Sequence, residues 1–390
     1  VLHNLQMRKQ LKIAFPLCVL VSLAIFIWKF LPFGDPENNH PSSSPDRSDS
    51  NAILNPIRII ENRNTISEVS PELLDRLWGE LQLLRQVNGE AEGQKAIQNM
   101  MTWLDSQPGA SAAIASLLQT GEDAFAFGRF SPGADGFLKS YPTFRTALLD
   151  ALENLDSETA ISVGKEILNT SENSDEWALS LRTLARHAWR NDDRAFLARK
   201  VEDLLNKSEW LNDPSFSYLH AFDVAVAGGL DESLNRLGVL VADPPSRSVG
   251  HAAILSVDRF FQSNELVGAQ HILSNPDFLD SKTGFRATLM ARLDPRNLEG
   301  VSSMELYLDS GSISSAEKGV FFESFPNFNS TYSFNLVTES VILSRTEMRA
   351  RSIASKDILA KWLAVNAYPD LNDKIEARLN WLANTWRLEL

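Results

Sequence analysis

The sequence predicts an all-α protein: a right-handed α-solenoid of helix-turn-helix repeats, preceded by a single N-terminal transmembrane helix and a disordered tether. Three observations predict it. Residues Ile13 to Trp28 form an unbroken apolar run, IAFPLCVLVSLAIFIW. Gly34 to Ser50 hold three prolines, five serines and no large apolar residue. From Pro142 onward, apolar helix pairs recur with a period of 34 to 38 residues. The resulting map is a basic cytoplasmic N-terminus over 1–12, a transmembrane signal-anchor over 13–33, a flexible tether over 34–66 and a helical repeat domain over 67–390.

About 20 mostly apolar residues span a bilayer. Ile13–Phe33 supplies 21 with Lys29 inside, and a lysine near one end snorkels its amine to the headgroups, beside the interfacial Trp28. Pro16 falls in the first turn, where its missing N–H costs least. Arg8, Lys9 and Lys12 precede the run, and Asp35 and Glu37 follow it. Positive charge stays inside, so the N-terminus is expected in the cytoplasm of an inner or plasma membrane and the bulk of the chain on the periplasmic or extracytoplasmic side. A cleaved signal peptide is the main rival, and it needs an A-x-A-like site that the exit WKFLPFGDP lacks. Lipid modification at Cys18 would need small residues where Phe15-Pro16-Leu17 stand. The segment MRKQLK from Met7 has a charged leader's character, so Met7 competes with Val1 as the start.

Charge and cysteine use narrow the class further. Residues 1–33 hold four of the 37 basic groups and none of the 50 acidic ones, so the remainder carries 33 against 50, a net −17. Such acidity repels phosphate backbones, and nucleic acid is not expected as a partner. Cys18, the only cysteine, lies in the apolar run. Disulfides and zinc–thiolate sites are therefore excluded from the rest, which must be held by burial. A cysteine-free exported domain leans toward a bacterial envelope, and the sequons at Asn169, Asn206 and Asn329 read as coincidence.

The tether cannot bury enough to offset the entropy of ordering. Its 17 residues from Gly34 to Ser50 reach on the order of 20–25 Å by random-coil scaling. Asn51–Arg63 reads equally as a short strand or a docked segment. Ser70-Pro71-Glu72 then gives an N-cap, a first-turn proline and an early acid. Leu73, Leu74, Leu77, Trp78, Leu81 and Leu84 follow at helical spacing, and Lys95–Leu104 and Ser111–Leu118 continue the pattern. From Pro142 the pairs are 142–168, 174–205, 213–241, 248–273 and a degraded fifth over 282–308. Their second helices begin at or near Asp156, Asp193, Asp231 and Glu265. A period in this range means one two-helix unit stacked many times. The stretch 315–340 breaks the rhythm, and SKDILAKWLAVNA and NDKIEARLNWLANTW read as terminal capping helices.

The first pair resembles a HEAT repeat. Pro142, Arg145, Ala147, Ala151, Leu152, Leu155, Asp156, Ala160, Val163, Ile167 and Leu168 fall at that family's proline, arginine, small, leucine and inter-helix aspartate positions. The resemblance is one of residue types over roughly 142–310. Tetratricopeptide-like units fit almost as well, without their tryptophan–glycine–tyrosine signature. Likeness to such scaffolds implies a protein-binding array and leaves the partner unspecified.

Candidate sites are few. One aromatic-rich stretch runs from Phe125 to Phe144 through Phe127, Phe130, Phe137 and Tyr141; the other holds Phe321, Phe322, Phe325, Phe328, Tyr332 and Phe334. Aromatic loops form recognition surfaces at little entropy cost, or they plug seams between repeats. Arg182, Arg186 and Arg190 recur every four residues and could receive an acidic partner, or form a solvated face paired with Asp192, Asp193 or Glu202. Arg182, Arg186, Arg190, Phe130, Phe325 and Tyr332 are the candidate partner-binding residues. Ser162-Val-Gly-Lys165 and Ser315-Ala-Glu-Lys318 match S-x-x-K, with no K-T-G or S-D-N to complete an acylation site. His40, His187, His220, His251 and His271 make no paired metal motif. Carboxylates at Asp192-Asp193 and Asp231-Glu232 sit where helix starts want negative charge. No residue is singled out as catalytic, cofactor-binding or metal-ligating, and no cofactor is implied. The expectation is a membrane-tethered scaffold or adaptor with protein partners; the alternative is an envelope carbohydrate lyase or hydrolase on an α/α-toroid.

Overall fold

Side-chain caps mark where several of the helices begin. The computed structural model describes residues 69–187, 191–329, 336–338 and 341–388. The expected membrane segment and tether lie outside these residues, and no described helix is long and apolar enough to cross a membrane. Among the described residues the protein is all-α, with isolated bridges at Phe125–Thr143 and Pro132–Leu138 as its only β pairing. The described residues all fall within one compact unit.

Ser70 caps α1 (Pro71–Leu84), its hydroxyl accepting from the Leu73 N–H. Two helices follow, α2 (Glu90–Leu104) and α3 (Ala110–Gln119). A reciprocal capping box between Thr143 and Thr146 opens α4 (Phe144–Leu155), and Asp156 caps α5 (Ser157–Thr170) through the Thr159 N–H. Next come α6 (Ser174–His187), α7 (Asn191–Asn206) and the short α8 (Ser208–Asn212). The segment expected as one helix over 213–229 divides into α9 (Phe216–Ala221) and α10 (Asp223–Ala227), parted at Phe222. The chain continues as α11 (Leu234–Ala242), α12 (Arg247–Ser263), α13 (Glu265–Ser274), α14 (Thr283–Met290) and α15 (Leu298–Asp309).

Residues 315–324 do not break the helical rhythm: Ser314 caps α16 (Ser315–Ser324), and irregular chain begins only at Phe325. The run of Phe321 and Phe322 resembles loop-borne aromatics in sequence, but here it is the buried face of a helix. Two longer helices, α17 (Arg345–Ala364) and α18 (Asn372–Trp386), close the chain against each other.

The helices alternate between two rows. The first row holds α4, α6, α9–α10, α12, α14, α16 and α18. Within it α4 packs on α6, α6 on α9 and α10, those on α12, α14 on α16, and α16 on α18. The second row, α5, α7, α11, α13 and α15, packs on the first, with α7 against α11 and α13 against α15. One continuous core of aliphatic and aromatic side chains runs from Leu77 and Leu81 through Leu148, Leu184, Phe222, Leu237 and Phe260 to Phe325 and Leu382.

A repeated ion clasp joins successive first-row helices. Arg145, in the first turn of α4, grips Glu176 in the first turn of α6 with Nε and Nη2, and donates Nη1 to the Leu118 carbonyl at the end of α3. Arg286 of α14 does the same to Glu317 of α16, with Nη1 on the carbonyls of Pro276 and Phe278. The Tyr307 hydroxyl also donates to Glu317. Each acid sits at a helix N-terminus, where the dipole favours it, and each guanidinium neutralises carbonyls left over at the end of a preceding segment.

Candidate functional site

Charged side chains recur along the first-row helices in otherwise apolar surroundings. Asp150 and Glu153 lie on α4, Arg182 and Arg186 on α6, Asp223 on α10, Asp258 and Arg259 on α12, and Arg292 just past α14. Most of them pair across rows of backbone to the neighbouring helix. Arg182 Nη1 is 2.6 Å from Asp150 and its Nη2 is 2.8 Å from Glu153. Arg259 Nη1 is 3.3 Å from Asp223, and Arg292 Nη2 is 2.5 Å from Asp258. All of these except Arg186 are buried.

Their electrostatics follow from that burial. Loss of water pushes the Glu153 carboxyl up, but Arg182, the Thr183 hydroxyl and Arg186 together outweigh it, and the group ends below its usual range. Burial works against the Arg182 charge, and Asp150 and Glu153 more than compensate. Asp223 is pushed up by burial, against the pull of Thr338, the Val337 N–H and Arg259.

Two irregular stretches lie on this stripe of charge and complete it. In the first, Gly136 offers its carbonyl to Arg182 at 2.9 Å, Asp135 offers its own to Arg186, and the Leu138 N–H donates to Asp150 at 2.8 Å. The Tyr141 hydroxyl donates to Asp150 at 3.0 Å, and the Phe137 ring lies 4.7 Å and 4.8 Å from the guanidinium carbons of Arg182 and Arg186. In the second, Asn327 donates to the carbonyls of Ala291 and Thr288 at the end of α14. Farther on, the Val337 and Thr338 N–H groups both donate to Asp223 Oδ2 at 2.7 Å. The Thr338 hydroxyl donates to Asp223 Oδ1 and accepts from Arg259 Nη1 at 2.7 Å. Leu336 is fully buried, and its carbonyl accepts from Arg186. The two stretches touch at Gly136, which has φ +77°; a Cβ there would run into the Leu336 carbonyl and the Arg186 guanidinium.

The sequence-derived candidates are distributed unevenly over this arrangement. Arg182 is not on a solvated face, as the four-residue spacing suggested, but fully buried between two carboxylates; Arg186 is half-buried beside it. Arg190 and Tyr332 lie outside the described residues. Phe130 is buried against His220, with ring centroids 6.0 Å apart. Phe325 is buried in an aromatic cluster, stacked 5.3 Å from Phe321 and 6.3 Å from Trp362. Phe125 and Phe127 are the exposed members of the first stretch, with centroids 6.2 Å apart. Lys165 pairs with Asp193 while Ser162 faces solvent, and no group of three potential metal ligands gathers among the described residues.

Asp223, Arg259, Asp258 and Arg292 went unnoticed in the sequence. The signal was there: HAFDVAV and SVDRFFQ each put a charge inside an apolar helical run, and a buried charge in a helix is expensive unless something pairs with it. A cleft of about 430 Å³ opens beside this end of the stripe, lined by Asp258, Arg292, Glu323, Asn327, Arg378 and Trp381. Asp258 is held by Arg292, and Glu323 by Lys374. Arg378 donates to the carbonyls of Ser324, Phe325 and Pro326 that end α16, and burial brings its pKa down to about 10. Chemically the stripe grips polypeptide backbone: guanidinium groups take carbonyls, and a carboxylate takes consecutive N–H groups. Comparison of the chain with protein-family models, with curated proteins and with solved structures finds no match.

Proposed function

We propose that this chain is a membrane-tethered, extracytoplasmic α-solenoid that acts as a protein-binding scaffold or adaptor. The observation that carries the reading is the capture of irregular backbone along the first-row helices by Arg182, Arg186 and Asp223. Contacts of this kind recognise an extended chain by its main-chain groups, and a row of helices repeats them at regular intervals. Neighbour-on-neighbour packing in two rows supports a stacked array. The apolar run over 13–33 and the basic residues before it support the anchor and its orientation.

A photo-crosslinking residue at Ile254, which lines the cleft and is 37 % exposed, tests the scaffold reading in the intact membrane protein. The control position is Val239 on the second-row helix α11, 52 % exposed. Discrete protein adducts through position 254 and none through 239 are expected. Adducts through 239 alone, or through neither, would count against a first-row binding face. A reporter active only after export, fused after Leu390, is expected to be active; a cytoplasmic reporter active there instead would reverse the orientation.

A further inference from the structure

The connection between α16 and α17 is far longer than packing needs. It runs over 325–344, twenty residues, whereas helix connections in bundles usually take about 2–8. Its described parts reach back along the first row, from the end of α14 at Asn327 to α12, α10 and α6 at Leu336–Thr338. The second contact is built as a seat with distinct features. The Leu336 side chain is fully buried in the hydrophobic core, and Arg186 takes the Leu336 carbonyl. One oxygen of Asp223 takes two consecutive N–H groups. Asp223 and Arg259 together take a hydroxyl two residues after the leucine. Val337 and Thr338 are both half-buried, but only the threonine has a hydroxyl that Asp223 and Arg259 take, so the valine side chain is the least read of the three.

We infer that this seat binds an extended segment of a partner protein carrying leucine, any residue, then threonine, and that Leu336–Thr338 holds the same place in cis. The inference rests on the scaffold reading above. Three of the five polar contacts are to main chain and the other two are to the threonine hydroxyl, so another chain of the same pattern would fit the same groups. Asp223 and Arg259 already pair with each other, so their buried charges keep a partner during an exchange. Twenty residues of connection let the segment leave while the helices at either end stay formed, because loop entropy changes slowly with length. The cis segment has the advantage of a local concentration in the millimolar range, so a partner displaces it by adding contacts elsewhere on the row.

The test uses a fluorescent heptapeptide with the sequence of residues 334–340, Phe-Asn-Leu-Val-Thr-Glu-Ser, titrated with the full chain in detergent micelles and read by anisotropy. In a Leu336→Ser/Thr338→Val chain the cis segment is weakened, and the peptide is expected to bind at least about tenfold more tightly than to the unaltered chain. Adding Asp223→Asn should remove that gain, and a peptide with Ser for Leu and Val for Thr should not bind. Circular dichroism of each variant checks that it is folded, and Thr338→Val alone replaces the double variant if that one unfolds. No binding to a folded weakened chain, equal binding to both chains, or equal binding of the altered peptide would overturn the inference. A reciprocal dimer of the unaltered chain, exchanging this segment, would overturn it too, since the occupant would then be a second copy. If crosslinking at Ile254 captures a partner while the heptapeptide fails, the motif falls and the scaffold reading stands; if both fail, both fall.

Discussion

Arg145 and Glu176, 31 residues apart, tie the first turns of two neighbouring helices into one buried, two-pronged ion pair, and Arg286 and Glu317 repeat it at the same separation. Both arginines follow a phenylalanine at the start of a first-row helix. The recurrence gives the arginine position in the helix pairs a physical role: it fixes the spacing and direction of the next unit.

Replacing Arg145 with Met should therefore be costly. Glu176 would be left charged and buried, and the Leu118 carbonyl would lose its donor, for a loss of about 3–5 kcal/mol. Chemical denaturation of the variant measures it. A loss under about 1 kcal/mol would mean that the clasp is dispensable.

Gly136 and Gly121 offer a controlled comparison, since both have φ +77° and only one is crowded. Alanine at Gly121 meets nothing within 4 Å and should cost only the left-handed backbone penalty, about 1–2 kcal/mol. Alanine at Gly136 adds a clash with the Leu336 carbonyl and Arg186, and should cost about 1–3 kcal/mol more. Equal melting shifts for the two variants would contradict the contact at Gly136.

His220 should make stability depend on pH. Burial against Phe216 and Phe130 lowers its pKa from 6.5 to about 4. Between those values the unfolded chain binds a proton that the folded chain refuses, so the stabilisation is complete above pH 6.5 and lost as pH falls toward 4. The full loss is about 3 kcal/mol. Melts from pH 7 to 4 should fall less steeply in His220→Phe than in the unaltered chain, and parallel slopes would show that His220 is not the group responsible.

Ala151 and Ser162 separate packing from surface. Ala151 is 2 % exposed on α4, and Ala151→Phe should overpack the seam by about 1–3 kcal/mol or more. Ser162 faces solvent on α5, and Ser162→Ala should stay within about 0.5 kcal/mol. Should Ser162→Ala abolish function in a complementation assay while its melt is unchanged, an enzymatic reading centred on Ser162 and Lys165 would replace the scaffold.

What the sequence made legible was local. Ser70 before Pro71, and Asp156 between two apolar helices, mark their caps through side chains a few residues from the N–H groups they accept. Helical spacing of leucines marked most of the core. Arg182 was misplaced because its burial depends on Gly136 and Leu138, brought in from a stretch with no periodicity of its own. The parting at Phe222 and the helix at Ser315–Ser324 were missed for a related reason. Aromatic residues are equally at home in a helix face and in a loop, and only packing decides.

The reach of Thr338 back to Asp223 also sets an order of events in folding. The helix pairs form from contacts within a few tens of residues, so they can close one after another as the chain emerges. The tie to Asp223 spans 115 residues and that to Arg186 spans 150, so neither can be made until the last third of the chain is present. Every intermediate before that moment carries Asp223 without the Val337 and Thr338 N–H groups that it accepts in the finished fold. In pulse-labelled hydrogen exchange, the Val337 and Thr338 amides should become protected last, after those of α4, α6 and α12.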